Sequence, residues 1–240
     1  MSKAFQLLYP TGMLGKDYQD VYFLKKFIRP GDWCIDIGAH LGYFTLELSR
    51  RVGPEGKVFA VEPMSKFNRV LGNQLAAHNA KNVTLYPVAL GGGSEYVEMG
   101  IPEVGKKKRF AYARVIESSP TLQYVESEKV KNWRGDDLFK DLTRLDFVKC
   151  DVEGLEFKVM SSMVATIRRF QPILLCEFFD RDERIKLFEL LQPMGYRLYK
   201  LEAGKWYAID VYAEGGVISQ NNYFIPPARR EQFKELFYSA

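Results

Sequence analysis

The residues able to do chemistry fall in four short stretches. Asp36-Ile-Gly-Ala-His-Leu-Gly42 follows the apolar run Trp33–Ile37, and Val58-Phe-Ala-Val-Glu62 ends a second apolar run on an acid, with Pro63 and Met64 next. Later, Asp151 and Glu153 follow a third such run, and Glu177 and Asp180 close a fourth. Two glycines after a buried strand let the backbone turn sharply and present unpaired N–H groups to a ligand's polar tail. An acid 20 positions after Gly42 sits at the separation where doubly wound sheets bring a carboxylate to ribose hydroxyls. Glu62 is therefore expected to hold a ribose, with Pro63 and Met64 flanking a base. Ala89, within Val88-Ala-Leu90, either lines the base's other side or belongs to the core. Asp36 stands where the dinucleotide spelling Gly-x-Gly-x-x-Gly has its first glycine, so adenosine attached to something smaller fits better than a dinucleotide.

These stretches meet only if the chain alternates strands and helices. Val21, Leu24 and Ile28 space a helix over Asp17–Ile28, stopped by Arg29-Pro-Gly31. Phe44, Leu48 and Val52 stripe a second, and Phe67, Val70, Leu71 and Leu75 a third, before a strand at Val83–Tyr86. Three such units predict a parallel sheet with right-handed crossovers and a ligand at the strands' carboxyl ends. Leu145–Cys150 and Ile173–Cys176 continue the sheet, with one helix striped by Leu155, Val159, Met163 and Ile167 and another over Arg181–Leu191. Tyr196–Leu201, Trp206–Tyr212 and Tyr223–Ile225 read as extended, and Phe233, Leu236 and Phe237 place a helix at the end. Between Gly91 and Arg134 the periodicity fades, with Tyr96–Ile101 and Arg109–Val115 as paired extended segments. Lys106-Lys-Lys-Arg109 is a solvated tip or a contact for an anionic acceptor group. Residues 1–16 form an irregular arm, whose Tyr9 and Met13 pack down or cover a pocket.

In order along the chain, Gly31, Asp36-Ile-Gly-Ala-His-Leu-Gly-Tyr-Phe-Thr-Leu46, Val58-Phe-Ala-Val-Glu-Pro63, Asn82-Val-Thr-Leu-Tyr-Pro-Val-Ala-Leu-Gly91, Gly135-Asp-Asp-Leu138, Val148-Lys-Cys-Asp-Val-Glu-Gly154 and Leu174-Leu-Cys-Glu177 resemble the FkbM-type methyltransferases. His40 departs from the Asn that this family often carries. The resemblance implies an α/β fold: a doubly wound, mostly parallel, seven-stranded Rossmann-like sheet with helices on both faces and its last strand antiparallel. It implies S-adenosylmethionine as cofactor and O-methylation of a sugar, glycolipid or secondary-metabolite hydroxyl. Asp36, Gly38, Ala39, His40, Gly42, Glu62, Pro63, Met64 and Ala89 are then the candidate cofactor-binding residues. Asp151, Glu153 and Glu177 are the catalytic candidates, one acid meeting the cofactor's ammonium group and another taking a proton from the acceptor. Capping of the helix at Leu155 is the alternative reading of Asp151 and Glu153. No ligand spacing singles out a metal, and none is expected.

The 240 residues, 47% hydrophobic, suffice for one α/β domain. Its expected parts are an arm and helix (1–30), a cofactor-binding half (31–91), a variable substrate-side insertion (92–144) and the second half of the sheet (145–240). A net charge of +4 with mixed signs argues against nucleic acid as a partner. The expected partner is a small-molecule acceptor, a saccharide or anionic conjugate, and a homo-oligomer is left open. Cys34, Cys150 and Cys176 read as small buried residues of a reducing, cytoplasmic compartment, and no run is apolar enough to cross a membrane. Three other readings stay open: an N-methyltransferase, a nicotinamide-dependent oxidoreductase and a non-catalytic member that keeps the pocket.

Overall fold

The computed structural model describes residues 17–104, 107–108, 112–213 and 221–238. The proposed covering role of Tyr9 and Met13 lies outside these residues, as do Lys106 and Arg109 of the basic segment. Helix α1 (Asp17–Phe27) leads into the unit β1 (Trp33–Ile37), α2 (Tyr43–Val52), β2 (Lys57–Val61), α3 (Ser65–Ala77) and β3 (Val83–Tyr86). After an insertion come β9 (Phe147–Cys150), β10 (Ile173–Glu177), β11 (Arg197–Glu202), β12 (Lys205–Ala208) and β13 (Asn221–Ile225).

These strands make one eight-stranded sheet in the order β12-β11-β13-β10-β9-β1-β2-β3. Strands β3, β2, β1, β9 and β10 are mutually parallel, and the last strand, β13, runs antiparallel to both neighbours. The eighth strand is the edge strand β12, which pairs antiparallel with β11 after the reversal at Ala203 and Gly204. Alternation along each strand splits the core in two. Cys34, Val58, Phe147 and Leu175 face Leu24, Phe44, Leu48 and Val52 of α1 and α2, whereas Ile35, Ile37, Val148 and Leu174 face the helices from the second half. The order reverses between β2–β1 and β9–β10, which opens a crevice above the carboxyl ends of β1 and β9.

Two expectations change in detail. The single helix striped by Leu155 to Ile167 is two, α5 (Glu156–Ser161) and α6 (Val164–Phe170). Asp136 of the short helix α4 (Gly135–Leu138) accepts the N–H groups of Ala165 and Thr166 and so caps a new start there, while Ser162 Oγ accepts the Gly135 N–H. Val159, Met163 and Ile167 still share one buried face, so the stripe survives the break. At the C-terminus the helix is α8 (Pro227–Gln232), and Phe233 and Leu236 enter the core just after it. The remaining helix, α7, covers Arg181–Leu191 with Asp180 as its cap.

The insertion forms a second sheet rather than a loop. Strands β4 (Ala89–Leu90), β5 (Tyr96–Val104), β6 (Lys107–Lys108), β7 (Arg114–Val115) and β8 (Tyr124–Trp133) compose it. The long antiparallel pair is β5 with β8, which no sequence period announced, while Arg114 and Val115 meet Gly100 and Met99.

At the sheet's opposite edge, Asp146 accepts from the Trp33 N–H at 2.9 Å, Arg144 Nε at 2.6 Å and Arg229 Nη2 at 2.7 Å. Burial pushes its carboxyl up, but the hydrogen bonds from Arg144, Trp33 and Arg229 outweigh it and the net shift is downward. The resulting stability is present above the ordinary aspartate range and lost as pH falls below it. Asp146→Ala is expected to destabilise the fold by about 1–3 kcal/mol, because the Trp33 N–H and Arg229 Nη2 lose their acceptor while Arg144 keeps Asp32 at 2.6 Å. Urea unfolding at pH 7 and at pH 3 checks this, the wild-type advantage shrinking at the lower pH.

Candidate active site

Above β1 and β9 lies a cavity of about 360 Å³, within the range of about 300–1,000 Å³ usual for small-ligand sites. Its floor is the turn after β1. Gly38 takes φ of 78°, and a Cβ there would lie 1.8 Å from the Asp151 carbonyl oxygen, so only glycine lets the ends of β1 and β9 meet. The turn's N–H groups are not the unpaired donors expected from the sequence. Those of Gly38 and Ala39 go to Val61 O, that of His40 to Glu62 Oε2 at 2.9 Å, and that of Gly42 to Ala39 O. Val61 of β2 and Glu62 just beyond it thus take the donors of Gly38, Ala39 and His40, and Ala39 within the turn takes that of Gly42.

Glu62 ends β2 against the cavity and is 5% exposed. Its carboxylate accepts the His40 N–H and, at 3.0 Å, the Met64 N–H. Burial still wins over these two bonds and lifts its carboxyl to about 7. Pro63, Phe67, Val88 and Ala89 continue the wall beside it as an apolar slot suited to a flat base.

Across the floor, Asp151, Glu153 and Glu177 line the same cavity, as the parallel strand ends require. Asp151 Oδ2 lies 3.0 Å from Lys149 Nζ. Glu153 is held with φ of 59°, a left-handed conformation costing about 1–2 kcal/mol for a residue with a side chain. Glu156 imposes it by accepting the N–H groups of Val152 and Gly154. Glu153 Oε2 meets Arg114 Nη2 of the second sheet at 2.8 Å. Burial and the neighbouring Asp151 nevertheless outweigh Arg114 and push the Glu153 carboxyl up to about 8.

Of the twelve expected site residues, Asp36, Gly42 and Met64 stand behind the lining. Asp36 is fully buried, with Oδ2 accepting from Thr45 Oγ1 at 2.6 Å. Gly42 begins α2 with φ of 88°, where a Cβ would strike Leu71. Met64 packs into the core with Phe67 and Ala89 and touches the site through its N–H. His40 lines the cavity with its ring 4.3 Å from that of Phe67, and its main-chain N–H donates to Glu62. The sequence reading missed Lys149, Glu156 and Arg114. Lys149 and Glu156 flank the Asp-Val-Glu-Gly motif and were visible as charges beside buried runs, whereas Arg114 carried no local signal.

The cavity fits an adenosyl sulfonium by its chemistry. Four carboxyl groups, from Glu62, Asp151, Glu153 and Glu177, line it with Lys149, which favours a cationic ligand. The apolar slot beside Glu62 suits a nucleobase. A sheet of this order with this crevice defines a Rossmann-like methyltransferase fold. The methyltransferase FkbM domain model matches residues 36–198, and the chain belongs to that family. That family is one of methyltransferases. No curated protein matches the sequence. Among solved structures, a methyltransferase FkbM from Methylobacillus flagellatus is similar at a TM-score of 0.54 and 18% identity, over 86% of this chain and 47% of that one. A SAM-dependent O-methyltransferase from Thermotoga maritima aligns at 0.49 and 15%, over 90% of this chain and 66% of that one. The chain thus spans less than two thirds of the length of either.

Raised carboxyls have a consequence for stability. Because Glu62 binds its proton more tightly folded than unfolded, its contribution is fully present below 4.5 and is lost as pH rises through about 7. Thermal unfolding of the cofactor-free protein is expected to show this slope, worth about 1–3 kcal/mol. Glu62→Gln is expected to flatten it, and an unchanged slope would remove Glu62 as its source.

Proposed function

We propose that the chain methylates a hydroxyl of a saccharide or saccharide conjugate, acting as one methyltransferase domain whose residues 92–144 form the acceptor side. The observation that carries this is the pairing of carboxylates with an exposed aromatic rim. Phe179, 54% exposed, and Tyr112, 40% exposed, line the cavity from just past β10 and from just before β7. A sugar ring presents an apolar face to such rings and hydroxyls to carboxylates. Glu62 binds the ribose hydroxyls, Pro63 and Ala89 flank the base, and Gly38, Ala39 and His40 shape the floor under the amino-acid tail.

When bound, S-adenosylmethionine supplies a methyl group on positive sulfur, and the carbon–sulfur electron pair stays on that sulfur as the acceptor oxygen takes the carbon. Asp151, at the end of β9, meets the cofactor's ammonium. Glu177 orients the acceptor hydroxyl, and Glu153 accepts its proton. Glu153 suits this role because its raised carboxyl holds a proton well near neutrality, and a base matched to the working pH contributes about 10²–10⁴-fold. Positioning contributes more, about 7–11 kcal/mol of the barrier. The three buried, unpaired cysteines support a reducing cytoplasmic location. Among the described residues, no helix is long and apolar enough to cross a membrane.

Calorimetry is expected to show S-adenosylmethionine binding, weakened more than tenfold in Glu62→Ala. With a saccharide acceptor found by mass gain of one methyl group, Glu153→Gln is expected to lower kcat by about 10²–10⁴-fold. Since the base must be ionised, wild-type activity should rise with pH through about 8, and that rise should vanish in Glu153→Gln. Methylation of RNA or of amines in place of sugars would overturn the acceptor reading.

A further inference from the structure

Lys149 is a charged residue in the middle of an otherwise apolar central strand. Strand alternation turns it to the same face as Asp36, its register partner on β1. Its Nζ stands 3.0 Å from Asp151 Oδ2 and 3.8 Å from Asp36 Oδ1, and it donates to Gly38 O at 3.4 Å. The Phe44 ring, from the first turn of α2, lies 5.1 Å away. The residue is only 7% exposed, yet it lines the cavity. An ammonium buried this deeply costs several kcal/mol unless paired, so these contacts fix its place. Among the described residues lining the cavity, it is the one lysine or arginine beside four carboxyl groups.

We propose that Lys149 is a positioning residue that divides the work among the site's acids: it holds Asp151 and Asp36 beneath the glycine turn and leaves Glu153 to receive the acceptor's proton. The assignment of Glu153 rests on the methyltransferase reading given above. Two independent features of the geometry support the division. Asp36 is wholly buried, with the Thr45 hydroxyl and Lys149 facing it, so loss of Lys149 would leave a buried carboxylate without a counter-charge. Glu153, by contrast, is turned by its left-handed backbone toward Arg114 of the second sheet, on the acceptor side. The bond from Lys149 Nζ to Gly38 O also ties the floor of the cofactor site to β9, so one side chain couples both halves of the reaction.

The charged groups acting on Glu153 are Asp151 and Lys149 at the end of β9, Glu156 at the start of α5, and Arg114 on β7. Asp151 raises its proton affinity and Lys149 lowers it. Carbon-13 titration of the Glu153 carboxyl in the cofactor-free protein, assigned with Glu153→Gln, therefore has a signed outcome. Lys149→Met is expected to move the Glu153 midpoint up by about half a unit or more, and Asp151→Asn to move it down by a similar amount. The double variant should fall between them and differ from the sum of the two.

Calorimetry on the same proteins is expected to show S-adenosylmethionine binding weakened more than tenfold in Lys149→Met. A midpoint unmoved in a folded Lys149→Met protein would overturn the proposal. If that variant does not fold, the nitrogen-15 signal of Lys149 in the otherwise intact chain decides. It should shift more on Asp151→Asn than on Glu153→Gln, and the reverse order would overturn the assignment. Failure of the wild type to bind S-adenosylmethionine would sink the methyltransferase reading instead, without touching these titrations.

Discussion

No side chain fits at Gly38. The carbonyl of Asp151 occupies the space a Cβ would need, at 1.8 Å, and this close approach sets the distance between the end of β1 and the end of β9. From it follow the floor of the cavity and the convergence of acids from the two halves of the chain, Glu62 from one and Asp151, Glu153 and Glu177 from the other. The N–H of Asp151 also donates to Ile37 O at 3.1 Å, which fixes the same junction from the other strand. With both strands tied there, Glu62 on one flank and Glu177 on the other need only follow the sheet's register to face one crevice. The geometry of the cavity is thus a property of strand ends, and the side chains inherit it.

Much of that arrangement was legible because parallel sheets write themselves in runs. Trp33–Ile37, Val58–Val61 and Ile173–Cys176 are buried on both faces, so their apolar character is continuous and their ends are marked by glycine or acid. Helix stripes such as Phe44, Leu48 and Val52 were equally plain. Candidate site residues mark those ends in the sequence, and nine of the twelve stand in the cavity lining. The other three, Asp36, Gly42 and Met64, show the limit of reading by proximity. Adjacency along the chain does not distinguish a residue that touches a ligand from one that supports its neighbour, since strand alternation sends Asp36 inward toward Thr45.

The second sheet was hidden for a physical reason. In β8 the side chains alternate Val125, Ser127, Lys129 and Lys131 outward with Glu126, Glu128, Val130 and Asn132 inward, so the inner face is itself half polar. Alternation of polar with polar leaves no period to detect. Those inward acids bind at the edge of the cofactor half instead: Glu128 takes the Ser65 N–H, and Glu126 pairs with Lys66, both at the start of α3. Asn132 likewise spends its amide on the carbonyls of Gly92 and Ser94. What holds the insertion to the rest is therefore a set of polar contacts of high sequence separation, along with a small core of Met64, Val97, Met99, Ile101 and Val130.

The site's acids explain where the fold tolerates weakness. Glu62 and Glu153 are held where burial raises their proton affinity, and Glu153 bears a strained backbone as well. Each is unfavourable in the cofactor-free protein, and each becomes favourable once positive charge enters the cavity, because opposite charge in a poorly solvated site favours the ionised form. The opposite edge of the sheet carries the compensating order at Asp146, which accepts from two arginines and a backbone N–H and whose carboxyl is held below the ordinary range. Separation of the two edges by the length of a strand lets one remain poised while the other stays fully satisfied. A ligand that supplies a cation then relieves cost at the site itself, so binding and stabilisation share one electrostatic origin.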